Sequence, residues 1–168
     1  IDPNWVEEVD ALEAHEYVLS LDGGASGIRD RNLLLSALAR PQQHFAYATS
    51  PDIIELAATL TTGIVKNHPF VDGNKRTGFM LGVLFLEING LRLNASEQAA
   101  TAAVLALAAS EIGEAEYADF LRQSTTPSTP AQTPPPATPE RGSALAKGAS
   151  RCAVASGPIA QSVRAPGS

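Results

Sequence analysis

A ten-residue stretch near the middle of the chain combines several side chains that can take part in chemistry. It runs from His68 to Thr77 and reads His-Pro-Phe-Val-Asp-Gly-Asn-Lys-Arg-Thr. An imidazole can accept a proton at neutral pH, a carboxylate can hold a hard cation such as Mg²⁺, and two adjacent cations can contact phosphate. The apolar run that follows, from Phe79 to Ile88, is typical of a buried helix. Because a helix N-terminus attracts anions, the stretch predicts a phosphate site.

Each residue of this motif suits a particular role. His68 is the candidate catalytic base, and Asp72 is the candidate ligand of Mg²⁺. Phe70 is apolar within a polar loop, and we interpret it as the anchor that holds the loop on the core. Glycine permits close backbone approach to a ligand, while amide and cationic side chains donate hydrogen bonds to a developing negative charge. The candidate phosphate and nucleotide ligands are therefore Gly73, Asn74, Lys75 and Arg76.

The two adjacent cations are informative because of their position. Lys75 and Arg76 fall in the first turn of the predicted helix, where positive charge opposes the helix dipole. They therefore cost stability unless an anion binds there or a carboxylate lies close. Taken singly, the other residues have ordinary explanations, since a histidine beside proline is usually structural and Asp-Gly-Asn is a common turn. An ordinary loop between core helices leaves the two cations unexplained.

The motif is predicted to connect two helices. Ser50-Pro51-Asp52 is a favourable helix start, with Ser50 as the cap, Pro51 at the first helical position and Asp52 as an acid of the first turn, and this helix should end near residue 67. His68 would then lie at the end of that helix, because Pro69 disfavours helical geometry at the residue before it. The second helix should run from about residue 74 to residue 88 and stop at Asn89-Gly90.

Further helices are predicted on either side of this pair. Asp2-Pro3 is a good helix opening, and a later helix is capped by Asp30 and should stop before Pro41, leaving a polar connector at 42–49. His15 is expected to be a partly buried structural histidine, since no set of metal ligands lies near it. The glycine-rich turn at residues 22–27 has no preceding strand and no Gly-Lys-Ser/Thr after it, so a plain loop is a better interpretation than a P-loop.

These elements predict an all-α fold, a compact helical bundle whose buried centre is the helix after the motif loop. The other helices are expected at about residues 2–17, 30–40, 97–109 and 114–123, and an extended piece at 91–93 leaves room for a short β-hairpin. The folded domain is expected to cover residues 1–124. Residues 125–168 hold eight of the twelve prolines together with many Thr, Ser and Ala residues, so a disordered tail is expected there.

Charge and cysteine content argue against several classes of protein, among them nucleic-acid-binding proteins and disulfide-bonded proteins. Residues 1–124 hold 17 acidic and 8 basic residues, a net charge of −9, within a chain of formal net charge −6. Such an acidic domain lacks the basic face that direct nucleic-acid binding needs. Cys152 is the only cysteine, which excludes an intrachain disulfide and a cysteine-rich metal site and fits a cytoplasmic location. With no apolar run of about eighteen residues and no secretory signal pattern, no membrane association is expected.

The motif from His68 to Thr77 resembles the signature of the Fic superfamily and, more narrowly, that of the death-on-curing (Doc) toxins of bacterial toxin–antitoxin pairs. Segments outside the motif that are similar to the same family are Gly23-Gly24, Gly27-Ile28-Arg29-Asp30, Leu38-Ala39-Arg40-Pro41-Gln42, Phe45-Ala46-Tyr47 and Phe85-Leu86-Glu87-Ile88-Asn89-Gly90. The resemblance covers roughly residues 5–123 and none of the tail. It implies a Fic-type helical bundle.

Two positions distinguish between the two chemistries that the family carries. AMP-transferring members have glycine after the motif asparagine and a second arginine three residues past the first, whereas this chain has Lys75 and Phe79. Both differences match Doc members, which resemble kinases and transfer the γ-phosphate of ATP to a threonine of elongation factor Tu. Lysine in place of glycine fills space and adds charge, so the nucleotide should bind differently. The alternatives are AMP transfer and a degenerate member that only binds nucleotide or antitoxin.

The roles that the resemblance implies agree with the interpretation of the residues. His68 would take the proton of the target hydroxyl, Asp72 would bind Mg²⁺, and Asn74–Arg76 would bind the phosphates of ATP. Fic enzymes that restrain themselves carry a Ser/Thr-x-x-x-Glu-Gly/Asn helix, which Ser110 and Glu114 approach only incompletely and at a different place in the chain. Restraint is therefore expected from a separate antitoxin, as a helix that lies in a groove near His68.

Overall fold

The computed structural model describes residues 2–128. Within that range the chain folds into six α-helices and two short β-strands, which confirms the predicted all-α class. In chain order they are α1 (Glu8–Asp22), α2 (Arg31–Tyr47), α3 (Ile53–Asn67), α4 (Asn74–Ile88), β1 (Leu91–Leu93), α5 (Glu97–Ala108), α6 (Glu114–Ser124) and β2 (Thr125–Pro127). No helix of this part of the chain is long and apolar enough to cross a membrane.

The centre of the bundle is the pair α3 and α4, the two helices that flank the motif. Ten consecutive residues of α3, Leu56 to Val65, are buried, and α4 is buried along most of its length. Two glycines let the helices approach closely, because a Cβ at Gly82 would overlap Thr61 Oγ1 and one at Gly78 would lie 2.9 Å from Val65 Cγ2. The prediction that the helix after the motif is buried is confirmed, and α3 shares the centre with it.

The second helix continues through Pro41 to Tyr47, so the expected stop before the proline is wrong and most of the connector at 42–49 is helical. Proline in a helix interior removes a backbone hydrogen bond. Here Pro41 is buried, and α2 packs closely on α3: a Cβ at Gly63 would lie 3.1 Å from Ala37 Cα. This packing outweighs the local cost of the proline.

The helix opening expected at Asp2-Pro3 is also wrong, because α1 begins only after Glu7. The side chain of Asp10 accepts the Glu7 N–H at 2.8 Å and caps the helix there. Upstream, the Asn4 N–H donates to Asn89 Oδ1 at 2.7 Å, and the Asn89 amide donates to the Asn4 carbonyl at 3.0 Å. These long-range hydrogen bonds hold the segment before α1 in a non-helical course beside the end of α4.

The two strands pair antiparallel, with Leu91 opposite Pro127 and Leu93 opposite Thr125. They are not a hairpin, since α5 and α6 lie between them in the sequence. The first three residues of the segment expected to be a disordered tail therefore form a strand that pairs with β1. The expectation for residues 129–168 lies outside the described residues.

Candidate active site

The motif loop, residues 68–73, joins the end of α3 to the start of α4. His68 caps α3 in the left-handed conformation (φ 49°, ψ 55°), and its side chain is exposed. Gly73 takes a left-handed conformation at the other end of the loop (φ 76°, ψ 18°) and precedes the first turn of α4. Left-handed backbone is uncommon for residues other than glycine, and such strain is concentrated at functional sites. The chain thus presents His68 at a sharp turn in front of a helix N-terminus.

Arg29 holds the backbone of His68 in this turn. Its Nε donates to the His68 carbonyl at 2.7 Å, and its Nη2 donates to the Asn67 carbonyl at 2.8 Å. A cation on the last carbonyls of a helix is favoured by both hydrogen bonding and the helix dipole. Family resemblance alone pointed to Arg29 in the sequence, because its contact joins residues far apart in the chain.

The segment Gly27–Asp30 forms one side of the motif loop. Ile28 and Phe70 form an antiparallel bridge, and the Val71 N–H donates to the Gly27 carbonyl at 3.1 Å. The backbone N–H groups of Arg29 and Asp30 both donate to the Pro69 carbonyl, at 2.7 and 3.0 Å. This segment therefore fixes the loop through main-chain hydrogen bonds, which no side-chain pattern in the sequence reveals.

Phe70 and His15 attach the motif loop to α1. The Phe70 side chain is 1% exposed and stacks on the His15 ring, with centroids 4.0 Å apart and planes 8° apart. His15 is itself 4% exposed, and its Nε2 lies 2.8 Å from the Asp72 carbonyl, to which it donates. The expectation of a structural histidine agrees with this placement. The sequence did not show that His15 supports the motif loop.

Asn74 closes the motif loop with its side chain. Its Oδ1 accepts the Phe70 N–H at 2.9 Å, and its Nδ2 donates to the Phe70 carbonyl at 3.0 Å. The same Nδ2 lies 3.4 Å from His68 Nδ1. The side chain is buried, and its amide is engaged by the Phe70 backbone. The role of phosphate ligand that the sequence suggested for Asn74 stays a prediction. The spacing of four residues brings the amide back over Phe70, where it satisfies two backbone groups.

Asp72 presents an exposed carboxylate at the tip of the loop. Oδ1 accepts the Gly73 N–H at 2.7 Å, and Oδ2 lies 3.4 Å from the Ala25 N–H. Among residues 2–128, no group of three or more His, Cys, Asp or Glu side chains could hold a metal ion. One exposed carboxylate fits Mg²⁺, since this ion keeps several waters and binds through one or two carboxylates plus substrate phosphates rather than in a protein cage.

The two cations of the motif differ in their surroundings. Arg76 Nη1 lies 2.6 Å from Asp22 Oδ2, so this cation has the carboxylate that its position at the helix start requires. Lys75 is exposed, and the ion pairs found within the described range do not include it. Of the two dipole-opposing charges, Arg76 thus has a carboxylate partner, whereas Lys75 has none among these ion pairs.

The part of the chain that contains the motif loop is similar to known proteins. The model of the Fic/DOC family matches residues 5–86. The chain is 35% identical over 117 residues to the protein kinase doc of Escherichia phage P1, a match that covers 70% of this chain and 90% of that protein. The chain belongs to the Fic/DOC family. It is also 42% identical over 92 residues to the toxin Doc of Mycolicibacterium smegmatis (strain ATCC 700084 / mc(2)155), covering 54% of this chain and 68% of that protein.

The segment that distantly resembles the inhibitory helix of some Fic/DOC members has other partners in this chain. Glu114 Oε2 accepts from Arg40 Nη2 at 3.0 Å, and Oε1 accepts from Thr59 Oγ1 at 2.9 Å. Ser110 is hydrogen-bonded to Lys66. Both carboxylate oxygens of Glu114 thus join α6 to α2 and α3.

Proposed function

We propose that this chain is the toxin of a bacterial toxin–antitoxin pair, and that it transfers the γ-phosphate of ATP to a threonine hydroxyl of a translation factor such as elongation factor Tu. Family membership supports the proposal, as do the relatives named as a protein kinase and as a toxin. The observation that carries it is the placement of His68, an exposed imidazole whose Nδ1 lies 3.4 Å from the side chain of Asn74, the first residue of α4. A candidate base and a candidate anion site lie side by side.

In the proposed reaction, His68 takes the proton of the target hydroxyl while the hydroxyl oxygen forms a bond to the γ-phosphorus of ATP. The bond from that phosphorus to the β-phosphate oxygen breaks, and ADP leaves. Lys75, Arg76 and the free N–H groups of the first turn of α4 stabilise the charge on the transferring group, and Gly73 lets it approach the backbone. Asp72 would hold Mg²⁺, which supplies charge neutralisation on the phosphates when it is bound.

The contribution of Asn74 follows from its hydrogen bonds. Because its side-chain amide is engaged by the Phe70 backbone, we assign it the positioning of the loop that carries His68. Its backbone N–H belongs to the first turn of α4, where N–H groups have no partner within the helix. A contact from Asn74 to phosphate would therefore come from the main chain.

Two positions favour phosphate transfer over AMP transfer. Lys75 is exposed at the position where AMP-transferring members have glycine, so a charged side chain stands where those enzymes seat nucleotide phosphates. Phe79 is partly buried and packs against the core, so the position of the second arginine of those members supplies no charge here. AMP transfer is the second candidate function, favoured by the motif that both classes share.

The proposed toxin would act in the cytoplasm and be restrained by a separate antitoxin chain. The inhibitory-like pair Ser110 and Glu114 is engaged by side chains of α2 and α3 and therefore supplies no restraint at the motif. A helical segment of the antitoxin lying in a groove near His68 would supply it.

The test is mass spectrometry of translation factors after incubation with the purified protein, ATP and Mg²⁺. His68→Ala should lower the rate of phosphate transfer by about 10²–10⁴-fold, the usual share of a general base. His44→Ala is the matched control, because it removes a partly exposed histidine of α2 and should leave the rate unchanged. Equal rates of transfer by His68→Ala and the wild type would overturn the proposal.

A further inference from the structure

Asp22, the last residue of α1, is the partner of the motif residue Arg76. Its side chain is 11% exposed, and its Oδ2 lies 2.6 Å from Arg76 Nη1. The other oxygen, Oδ1, is buried and has no hydrogen-bond partner within residues 2–128. The Asp22 carboxylate is thus largely removed from water, and only one of its two oxygens has a hydrogen-bond partner among the described residues.

This position is unfavourable for a carboxylate in terms of stability. A negative charge at a helix C-terminus opposes the dipole, and the last turn of α1 contains no basic residue to offset it. A buried polar atom without a partner adds a further cost. Within α1 alone, a neutral residue would be at least as favourable as Asp22, so the carboxylate is explained by its contact with Arg76.

The orientation of Arg76 shows what that effect would be. While Nη1 is held by Asp22, Nη2 lies 3.7 Å from the position that a Cβ would occupy at Gly73. The guanidinium therefore lies beside the Gly73 turn, next to the free N–H groups that open α4. A long side chain such as arginine loses rotamer entropy when it is fixed. A charge-assisted hydrogen bond at one end fixes it in advance and leaves other N–H donors for an anion.

We infer that Asp22 is a positioning residue, which holds the Arg76 guanidinium at the mouth of α4 in the orientation that binds the phosphates of ATP. The inference rests on the proposed function, since it specifies how the same site holds its nucleotide. A purely structural role, in which the pair only fastens α1 to α4, makes a different prediction: its loss would lower stability and leave ATP affinity per folded molecule unchanged.

The experiment compares Asp22→Ala, Asp22→Asn, Arg76→Ala and the double variant Asp22→Ala/Arg76→Ala. ATP affinity is measured by calorimetry with Mg²⁺ present, and KM and kcat are measured for transfer. Asp22→Ala should weaken ATP binding per folded molecule and raise KM by about tenfold with a smaller change in kcat, whether or not loss of the ion pair lowers the melting temperature. Asp22→Asn keeps an acceptor for the guanidinium and should restore most of the affinity. Glu8→Ala, which removes another ion pair of α1, is the control.

The double variant shows whether Asp22 acts through Arg76. If it does, Asp22→Ala causes no further loss of ATP affinity once Arg76 is alanine. Losses that multiply in the double variant, or an Asp22→Ala protein that melts lower and binds ATP normally, would overturn the inference.

The two proposals fail in distinguishable ways. Phosphate transfer by the wild type with no effect of Asp22→Ala would overturn only the role of Asp22. Coupling between Asp22 and Arg76 in ATP binding, together with transfer of AMP instead of phosphate, would overturn only the proposed kinase reaction. A wild-type protein that binds no ATP in the presence of Mg²⁺ would overturn both.

Discussion

Replacing Asn74 by alanine tests whether its side chain holds the motif loop together. The change removes an acceptor 2.9 Å from the Phe70 nitrogen and a donor 3.0 Å from the Phe70 carbonyl oxygen. Both Phe70 and Asn74 are buried, so water cannot freely replace the lost partners. Leaving a buried polar group unsatisfied costs about 1–3 kcal/mol. With two such groups, and some relaxation of the loop, we expect the free energy of unfolding to fall by about 2–4 kcal/mol.

Equilibrium unfolding in urea measures this change. For a domain of this size, with an m-value of about 1–3 kcal/mol/M, the midpoint should fall by about 1–2 M while the slope stays constant. Lys75→Ala is the matched control: it changes the next residue of α4, which is exposed, and should alter the free energy of unfolding by less than about 0.5 kcal/mol. If Asn74→Ala loses no more stability than Lys75→Ala, the account of Asn74 as the residue that closes the loop is refuted.

Two further predictions concern stability away from the motif loop. Gly82→Ala should lower the free energy of unfolding by about 1–3 kcal/mol, because its Cβ would overlap Thr61 Oγ1, and a melting temperature at or above that of the wild type would contradict this packing. The pKa of Asp52 is raised by partial burial, but hydrogen bonds from the Glu55 N–H and from Arg122 outweigh this and lower it below its usual 3.8. A carboxyl group whose pKa is lowered by folding stabilises the folded state at pH values above its pKa in the unfolded chain. This stabilisation is lost as the pH falls through the pKa of the folded state. The stability difference between the wild type and Asp52→Asn, which keeps a capping side chain, should therefore be constant well above pH 3.8 and shrink as the pH falls through that value and below it. Because Asp52 is half exposed, that difference should stay under about 1 kcal/mol, and a difference that persists undiminished at low pH would argue against the assignment.

The sequence was sufficient for the two central helices, since their ends are marked by local chemistry. The start of α3 was predicted to within a few residues, although the cap is Asp52, which accepts the Glu55 N–H at 2.7 Å, and not Ser50 as expected. His68 ends the same helix because the proline after it restricts its backbone. Signals of this kind lie within a few residues of the helix end, and they can be read without knowledge of the fold.

The sequence was insufficient where long-range contacts overrule local preference. Pro41 was expected to end α2, but the packing of Ala37 against Gly63 carries the helix past it. The same limit applies to the site. Arg29 and Asp22 contact the motif across separations of 39 and 54 residues, and nothing in their local sequence marks the contacts.

The most direct test of the central claim is which phosphorus of ATP reaches the target protein. Wild-type protein and His68→Ala would each be incubated with a translation factor, Mg²⁺ and ATP labelled at either the α or the γ position. The account predicts label on the target from γ-labelled ATP only, and only with intact His68. Transfer of the α label, or transfer of the γ label at an equal rate without His68, would contradict it.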